Sequence, residues 1–278
     1  MFDRITGLSS KQMIAIPLIF FILMATVGLL SPPSLGIDLK GGSRVTITGV
    51  DDNPTQLEDF LQGEMSDSRI SVRTLEGASG IVIEAPSGIE QDRLTNLIKG
   101  EIDPPEDSIS SEEIGASFGR STQIQGLKAL GVAFLGMIII VFITFRDIIP
   151  SLTIIYCSFS DMVISFGLMS ILGIPLTLGT IASLLMLIGY AVDSNILLTT
   201  RILKRSGKYD DKYSNALKTG LMMGGTTLSV LLVVYIINSS QILDSIVSVL
   251  MLGIIADLIN TWLFNAGILR WRTEEMVE

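Results

Sequence analysis

The sequence predicts an α-helical polytopic membrane protein: six transmembrane helices and one small α+β domain of ferredoxin-like order outside the membrane. Three observations predict it. Apolar residues are gathered into six long runs. Lys and Arg fall into alternate loops between those runs. One acidic stretch, residues 31–122, separates the first run from the other five.

Composition narrows the function classes. With 48% hydrophobic residues and a mean hydropathy of +0.57, the chain is too apolar for an ordinary soluble domain. Its single cysteine, Cys157, lies inside an apolar run, so no intrachain disulfide forms. There is no histidine, which removes the commonest general base and the commonest metal ligand. Residues 31–122 hold 17 of the 28 acids and only 7 of the 19 bases. The rest of the chain is close to neutral, so the acidity belongs to one segment and the chain does not read as a nucleic-acid binder. No catalytic cluster is visible, and no cofactor or metal is expected.

Crossing ~30 Å of hydrocarbon takes about 20 apolar residues. The runs that qualify cover about 12–30, 124–145, 150–172, 176–199, 217–237 and 242–268. The first follows Arg4 and Lys11 like a signal peptide. Ser31-Pro32-Pro33-Ser34, however, is a poor cleavage site, so the run is expected to stay as a helix. Orientation follows from the basic loops. Arg4 and Lys11, then Arg146, then Arg201, Lys204, Arg205, Lys208 and Lys212, and finally Arg270 and Arg272 all fall on the side of the N-terminus. The loops near 172–176 and 237–242 carry no Lys or Arg. Both termini are therefore expected in the cytoplasm of a multi-pass cell-membrane protein, with 31–122 extracytoplasmic. The expected organisation is 1–30 for the N-terminus and first helix, 31–122 for the outer domain, 123–270 for the remaining helices and 271–278 for a cytoplasmic tail.

The outer domain reads as β-α-β-β-α-β, the split βαβ pattern. Arg44–Thr48 is a strand, and Pro54–Gln62 a helix preceded by the cap candidates Asp51, Asp52 and Asn53. Arg69–Leu75 alternates as a half-buried strand, and a turn at Gly77–Gly80 leads into Gly80–Glu84. A second helix is predicted over Ile89–Lys99 and a last strand over Ser108–Ile114. The flanking segments 31–34 and 115–122 are expected to act as hinges.

Charges inside the bilayer cost at least about 2.5–3.5 kcal/mol, so buried acids need a reason. Asp161 sits mid-way along the third run, Asp193 in the fourth, and Asp257 mid-way along the sixth with Asn260 on its face. Asn195, Thr226 and Thr227 are further intramembrane polar groups. Asp161 and Asp193 read either as a structural polar pair or as carboxylates that exchange protons in a partly wet cavity. Arg201, two turns past Asp193, reads by position as a snorkelling anchor. Gly220 and Gly224 in the fifth run read as close helix packing.

Three motifs, in this topology, resemble the SecD/SecF family of protein-export membrane proteins across essentially the whole chain. They are Gly36-Ile37-Asp38-Leu39-Lys40-Gly41-Gly42, Ile114-Gly115-Ala116-Ser117-Phe118-Gly119, and Gly189-Tyr190-Ala191-Val192-Asp193-Ser194-Asn195 running on to Arg201. Length, Gly36-Ile37-Asp38 and Gly189-Tyr190 resemble SecF, whereas Leu39 and Ala191–Asn195 resemble SecD. The mixture fits an archaeal SecF. The resemblance implies a six-helix membrane unit of RND type that works with SecD beside the Sec channel. It implies use of a cation gradient, proton or sodium, to assist export of unfolded polypeptides on the outer side, with only membrane lipid as further surroundings. In the family's pattern Asp161 and Arg201 match the SecF coupling pair, and Asp193 matches the acid of SecD. An intramembrane aspartyl protease built on Asp161 and Asp193, an RND-type small-molecule exporter and a passive SecD stabiliser are the alternative readings.

Overall fold

The computed structural model describes residues 9–50, 53–67, 69–74, 79–102, 104–105, 108–237 and 240–275. Arg4, Asp51, Asp52, Leu75 and Gly77, which the sequence reading used, lie outside them, as do 276–278.

Helix α1, Ser10–Leu30, opens on a capping box in which the Ser9 hydroxyl and the Gln12 side chain each bond the other's backbone N–H. After α2 (Ile37–Lys40) come β1 (Gly42–Thr48), α3 (Pro54–Met65), β2 (Ser71–Thr74), β3 (Gly80–Pro86), α4 (Gln91–Ile102) and β4 (Ile109–Ile114). The Asn53 side chain caps α3 through the Thr55 N–H, with Pro54 in the first helical position. The sheet order is β2-β3-β1-β4, antiparallel throughout, so β3 lies between β1 and β2 as the split pattern requires. Val45 stands opposite Ile83, and Val72 opposite Ile83 on the other flank. These side chains meet Leu57, Leu61, Leu94 and Ile98 of the two helices in the domain core. The other face of the sheet carries Arg44, 2.9 Å from Glu84.

Five further long helices follow: α5 (Ala116–Phe145), α6 (Ile148–Leu172), α7 (Leu178–Lys204), α8 (Tyr209–Ile237) and α9 (Gln241–Ile259). The last runs on through a π-helical segment, Asn260–Asn265, into α10 (Ala266–Glu275). Together with α1 these give six helices long and apolar enough to cross a membrane. Several extend past their apolar runs. Helix α5 starts at Ala116, so the expected hinge at 115–122 is instead helix continuous with the second span. It is held there because Gly119 lies against the backbone of Leu39–Gly41 and the Gln123 amide donates to the Leu39 carbonyl at 2.7 Å.

The α+β domain meets the bundle at the turn between α6 and α7, while several basic groups of the loops and the C-terminal helix lie at the opposite end. There Lys204 lies over the Phe145 ring, Arg270 over Tyr209, and Arg272 bonds Asp147 at 2.6 Å. That last contact holds the Asp147 carboxyl below its usual range. A depressed carboxylate contributes stability above its unfolded pKa of about 3.9, lost as pH falls through the lower folded value. With both groups partly exposed the contribution is small, about 0.5 kcal/mol. Asp147→Asn is therefore expected to lower the melting temperature slightly at pH 7. At pH 2–3, approached in steps, the difference from the parent should shrink; a constant offset would contradict the pairing.

Candidate functional site

The three middle-of-membrane elements that the acids occupy meet in one polar cluster. Helix α6 supplies Ser160 and Asp161, α7 supplies Ser194, Asn195 and Thr199, and the sixth span supplies Asp257, Asn260, Thr261 and Asn265; all but Ser194, at 7%, are 0% exposed. Asn260 donates to Asp161 Oδ1 at 2.6 Å and to the Ser160 hydroxyl at 2.9 Å. Asp257 is the hub on the other side. It accepts from the Ser194 hydroxyl (2.7 and 2.8 Å to its two oxygens), from Thr261 (2.8 Å) and from the Asn195 amide (3.3 Å). Asn265 in turn donates to Asn195 Oδ1 at 2.7 Å and reaches Thr199 at 3.3 Å.

The π-helical segment makes this convergence possible. In an α-helix residues 260 and 265 would point well apart, since the face repeats at three and four residues. With i→i+5 bonding a five-residue step nearly closes on itself, so Asn260 and Asn265 both face inward. Carbonyls of this segment, and that of Ala266 just past it, accept further bonds from neighbouring elements. Tyr213 donates to the Trp262 carbonyl at 2.8 Å and Tyr209 to that of Ala266 at 2.7 Å, while the Cys157 thiol makes a weak contact with that of Asn260. The Trp262 indole sits on Gly220 of α8, where a side chain would overlap it.

Acceptors outnumber donors here. Asp161 Oδ2, Asn260 Oδ1 and Asn265 Oδ1 are buried and receive no hydrogen bond from described residues. Such a site, with two carboxylates and spare amide oxygens, is chemically suited to a proton or a small cation.

The other sequence-selected residues lie apart. Asp193 is exposed, not buried, and opens onto a cavity of ≈ 50 Å³ that also touches Tyr190, Ser194 and Asp257. That is room for a few waters on a scale of about 10–15 Å³ each. Arg201 donates to the Asn215 carbonyl at 3.1 Å and makes no ion pair with any of the three acids among described residues. Thr226 and Thr227 spend their hydroxyls on carbonyls of their own helix and stay outside the cluster. Asp161 and Asp193 are therefore not brought together: Asp161 is buried in the cluster and Asp193 is exposed on α7. Sequence reasoning missed Ser160, Ser194, Thr199, Thr261 and Asn265 as members of the site. Thr261 could have been found at i+4 from Asp257; Asn265 could not, because its place depends on the π-helical segment.

The glycines of the first two motifs mark close backbone contacts rather than a site. Gly36, Gly41, Gly42 and Gly119 each sit where a Cβ would meet a neighbouring segment. A Cβ added at Gly115 or Gly189 would meet nothing within 4 Å.

The sequence profile of the family described as protein export membrane protein SecD/SecF, C-terminal, matches residues 96–275. The chain belongs to the SecD/SecF family. Among its relatives, the protein-export membrane protein SecF of Thermococcus gammatolerans is 43% identical, over 94% of this chain and 85% of that one. SecF of Methanocaldococcus jannaschii is 41% identical, over 95% and 96%. Among solved structures, SecDF of Thermus thermophilus, described as a translocon-associated membrane protein, superposes with a TM-score of 0.77 at 21% identity. It covers 95% of this chain, which in turn spans 38% of that longer SecDF chain. That likeness establishes the fold. The SecF-type chain described here is thus a multi-pass membrane protein of a protein-export family, and its buried polar cluster lies in the matched region.

Proposed function

We propose that the chain is an accessory subunit of the Sec protein translocase that, with SecD, uses a transmembrane cation gradient to assist export on the extracytoplasmic side. The observation that carries this reading is the buried, donor-poor cluster of Asp161, Asp257, Asn195, Asn260 and Asn265 across three spans of a protein-export family member. Ionisable groups are expensive there and are kept when they work. In this reading Asp161 and Asp257 take up and release the ion, proton or sodium. Asp193, at the mouth of the small cavity leading to Asp257, relays it from the partner side. Arg201 fixes the cytoplasmic end of α7 to α8 while the site changes charge. The termini are cytoplasmic, the α+β domain lies outside, and its substrate is unfolded polypeptide leaving the Sec channel; the site needs no bound cofactor.

The test is export into gradient-energised membrane vesicles containing this chain and SecD. Asp161→Asn keeps the Asn260 contact but cannot ionise. Its gradient-stimulated export should fall at least about tenfold, within the usual range of coupling energies, while gradient-independent export persists. Collapsing the proton or the sodium gradient separately assigns the ion. Stimulated export at the parent level in Asp161→Asn would refute the coupling role.

A further inference from the structure

The structure places Gly36 and Asp38 of the first family motif at a joint between the α+β domain and α7. Gly36 N–H donates to the Leu176 carbonyl at 2.8 Å and Leu176 N–H to the Ser34 carbonyl at 2.7 Å, so Leu35 pairs as a parallel bridge with Leu176. A side chain on Gly36 would come within 2.6 Å of Thr177 Cγ2. Asp38 Oδ2 then accepts from the backbone N–H of Leu178, the first residue of α7, at 3.2 Å. Thr177 already caps that helix through the Thr180 N–H, so Asp38 satisfies a second of its open donors and places a negative charge at its positive end. The same carboxylate lies 3.9 Å from Arg44, whose guanidinium bonds Glu84 on the neighbouring strand at 2.9 Å. Asp38 thus stands between the centre of the sheet and the first turn of α7.

Helix α7 runs on from this joint without a proline to Ser194 and Asn195, about 25 Å away at 1.5 Å per residue. We infer that Asp38 is a positioning residue that joins the outer α+β domain and α7 into one rigid arm, so that displacement of α7 at the polar cluster is delivered to the domain. This use of the arm rests on the coupling role proposed above. The rigidity itself does not, and it replaces the expectation that segment 31–34 is a free hinge.

The test reads rigidity directly in the full chain in lipid nanodiscs, with no gradient and no export. Spin labels on Asn96→Cys in α4 and Ser206→Cys beyond α7 report the spread of one distance; native Cys157 is buried and is left in place. The parent should give one narrow distribution. Asp38→Ala should broaden it about twofold, as loss of a fixed contact at a hinge would. Asp38→Asn, which keeps an acceptor oxygen, should stay narrow. Leu178→Pro removes the donated N–H at a first helical position that tolerates proline, and follows an extended residue as proline prefers. It should broaden the distribution like Asp38→Ala, and it supplies the answer if that variant does not fold. A disulfide between Leu35→Cys and Leu176→Cys should narrow the distribution again. Parent-like width in Asp38→Ala, or in Leu178→Pro if Asp38→Ala does not fold, overturns the inference. A narrow parent distribution that Asp38→Ala broadens, alongside unaffected export in Asp161→Asn, would uphold the arm and reject the coupling role.

Discussion

Asp257→Ala is expected to abolish gradient-stimulated export while leaving a folded protein. The side chain is the shared acceptor for Ser194, Asn195 and Thr261. Removing it leaves those donors to fall back on weaker options. Ser194 and Asn195 both already contact the Ala191 carbonyl, at 3.0 and 2.8 Å, which limits the damage. Polar contacts inside membrane bundles average only about 0.6 kcal/mol each, so the net stability loss should be about 1–2 kcal/mol. A melting shift of a few degrees in detergent would register it. Asp257→Asn separates the two consequences: its amide oxygen should recover most of the stability, and its inability to ionise should leave stimulated export absent. If Asp257→Ala exports like the parent, the cluster is structural and the proposed mechanism falls with it.

The second large effect is expected away from any acid. Gly220→Ala places a methyl group against the Trp262 indole, with Cη2 and Cε2 only 2.8 and 2.9 Å from the new carbon. The ring cannot simply yield, because Tyr213 packs edge-on against it at 6.3 Å and bonds its carbonyl. The strain should pass into the π-helical segment and turn Asn260 and Asn265 away from their partners. Overpacking of this kind costs about 1–3 kcal/mol, and export should fall with it. Gly225→Ala is the control. No atom lies within 4 Å of its added carbon, so stability should be unchanged or slightly higher. Equal behaviour of the two variants, in melting and in export, would show that the Gly220–Trp262 contact matters to neither.

The spans were legible because hydrocarbon demands long apolar runs, and each of the six runs became one helix or helix-π-helix. Their ends were less so. Residues 116–123 and 209–216 are helical but polar enough to leave no hydropathy signal. The outer domain was legible from its order of alternating and helical segments, which forces β3 between β1 and β2. Within the site, Asp161, Asp257 and Asn260 stood out because polar groups in mid-membrane are costly. Asp193 stood out for the same reason, yet the rotation of α7 turns it outward and puts its neighbours Ser194 and Asn195 inside. One residue is a 100° step on a helix, so membership of the cluster rests on a choice that residue type does not encode.

By itself, then, the sequence determined that the chain is a six-span membrane protein with one α+β domain between the first and second spans, and which family motifs it carries. All of these follow from local composition and order. Only the tertiary structure decided that Asp161 is joined to Asn260 and Asp257 to Ser194, and that Asn265 belongs with them. It alone showed that Asp38 ties the domain to α7. Each of these depends on helix rotation, on a π-helical segment held from α8, or on contacts between segments distant in the chain. Such pairings are set by how whole helices pack, not by any residue's own preference.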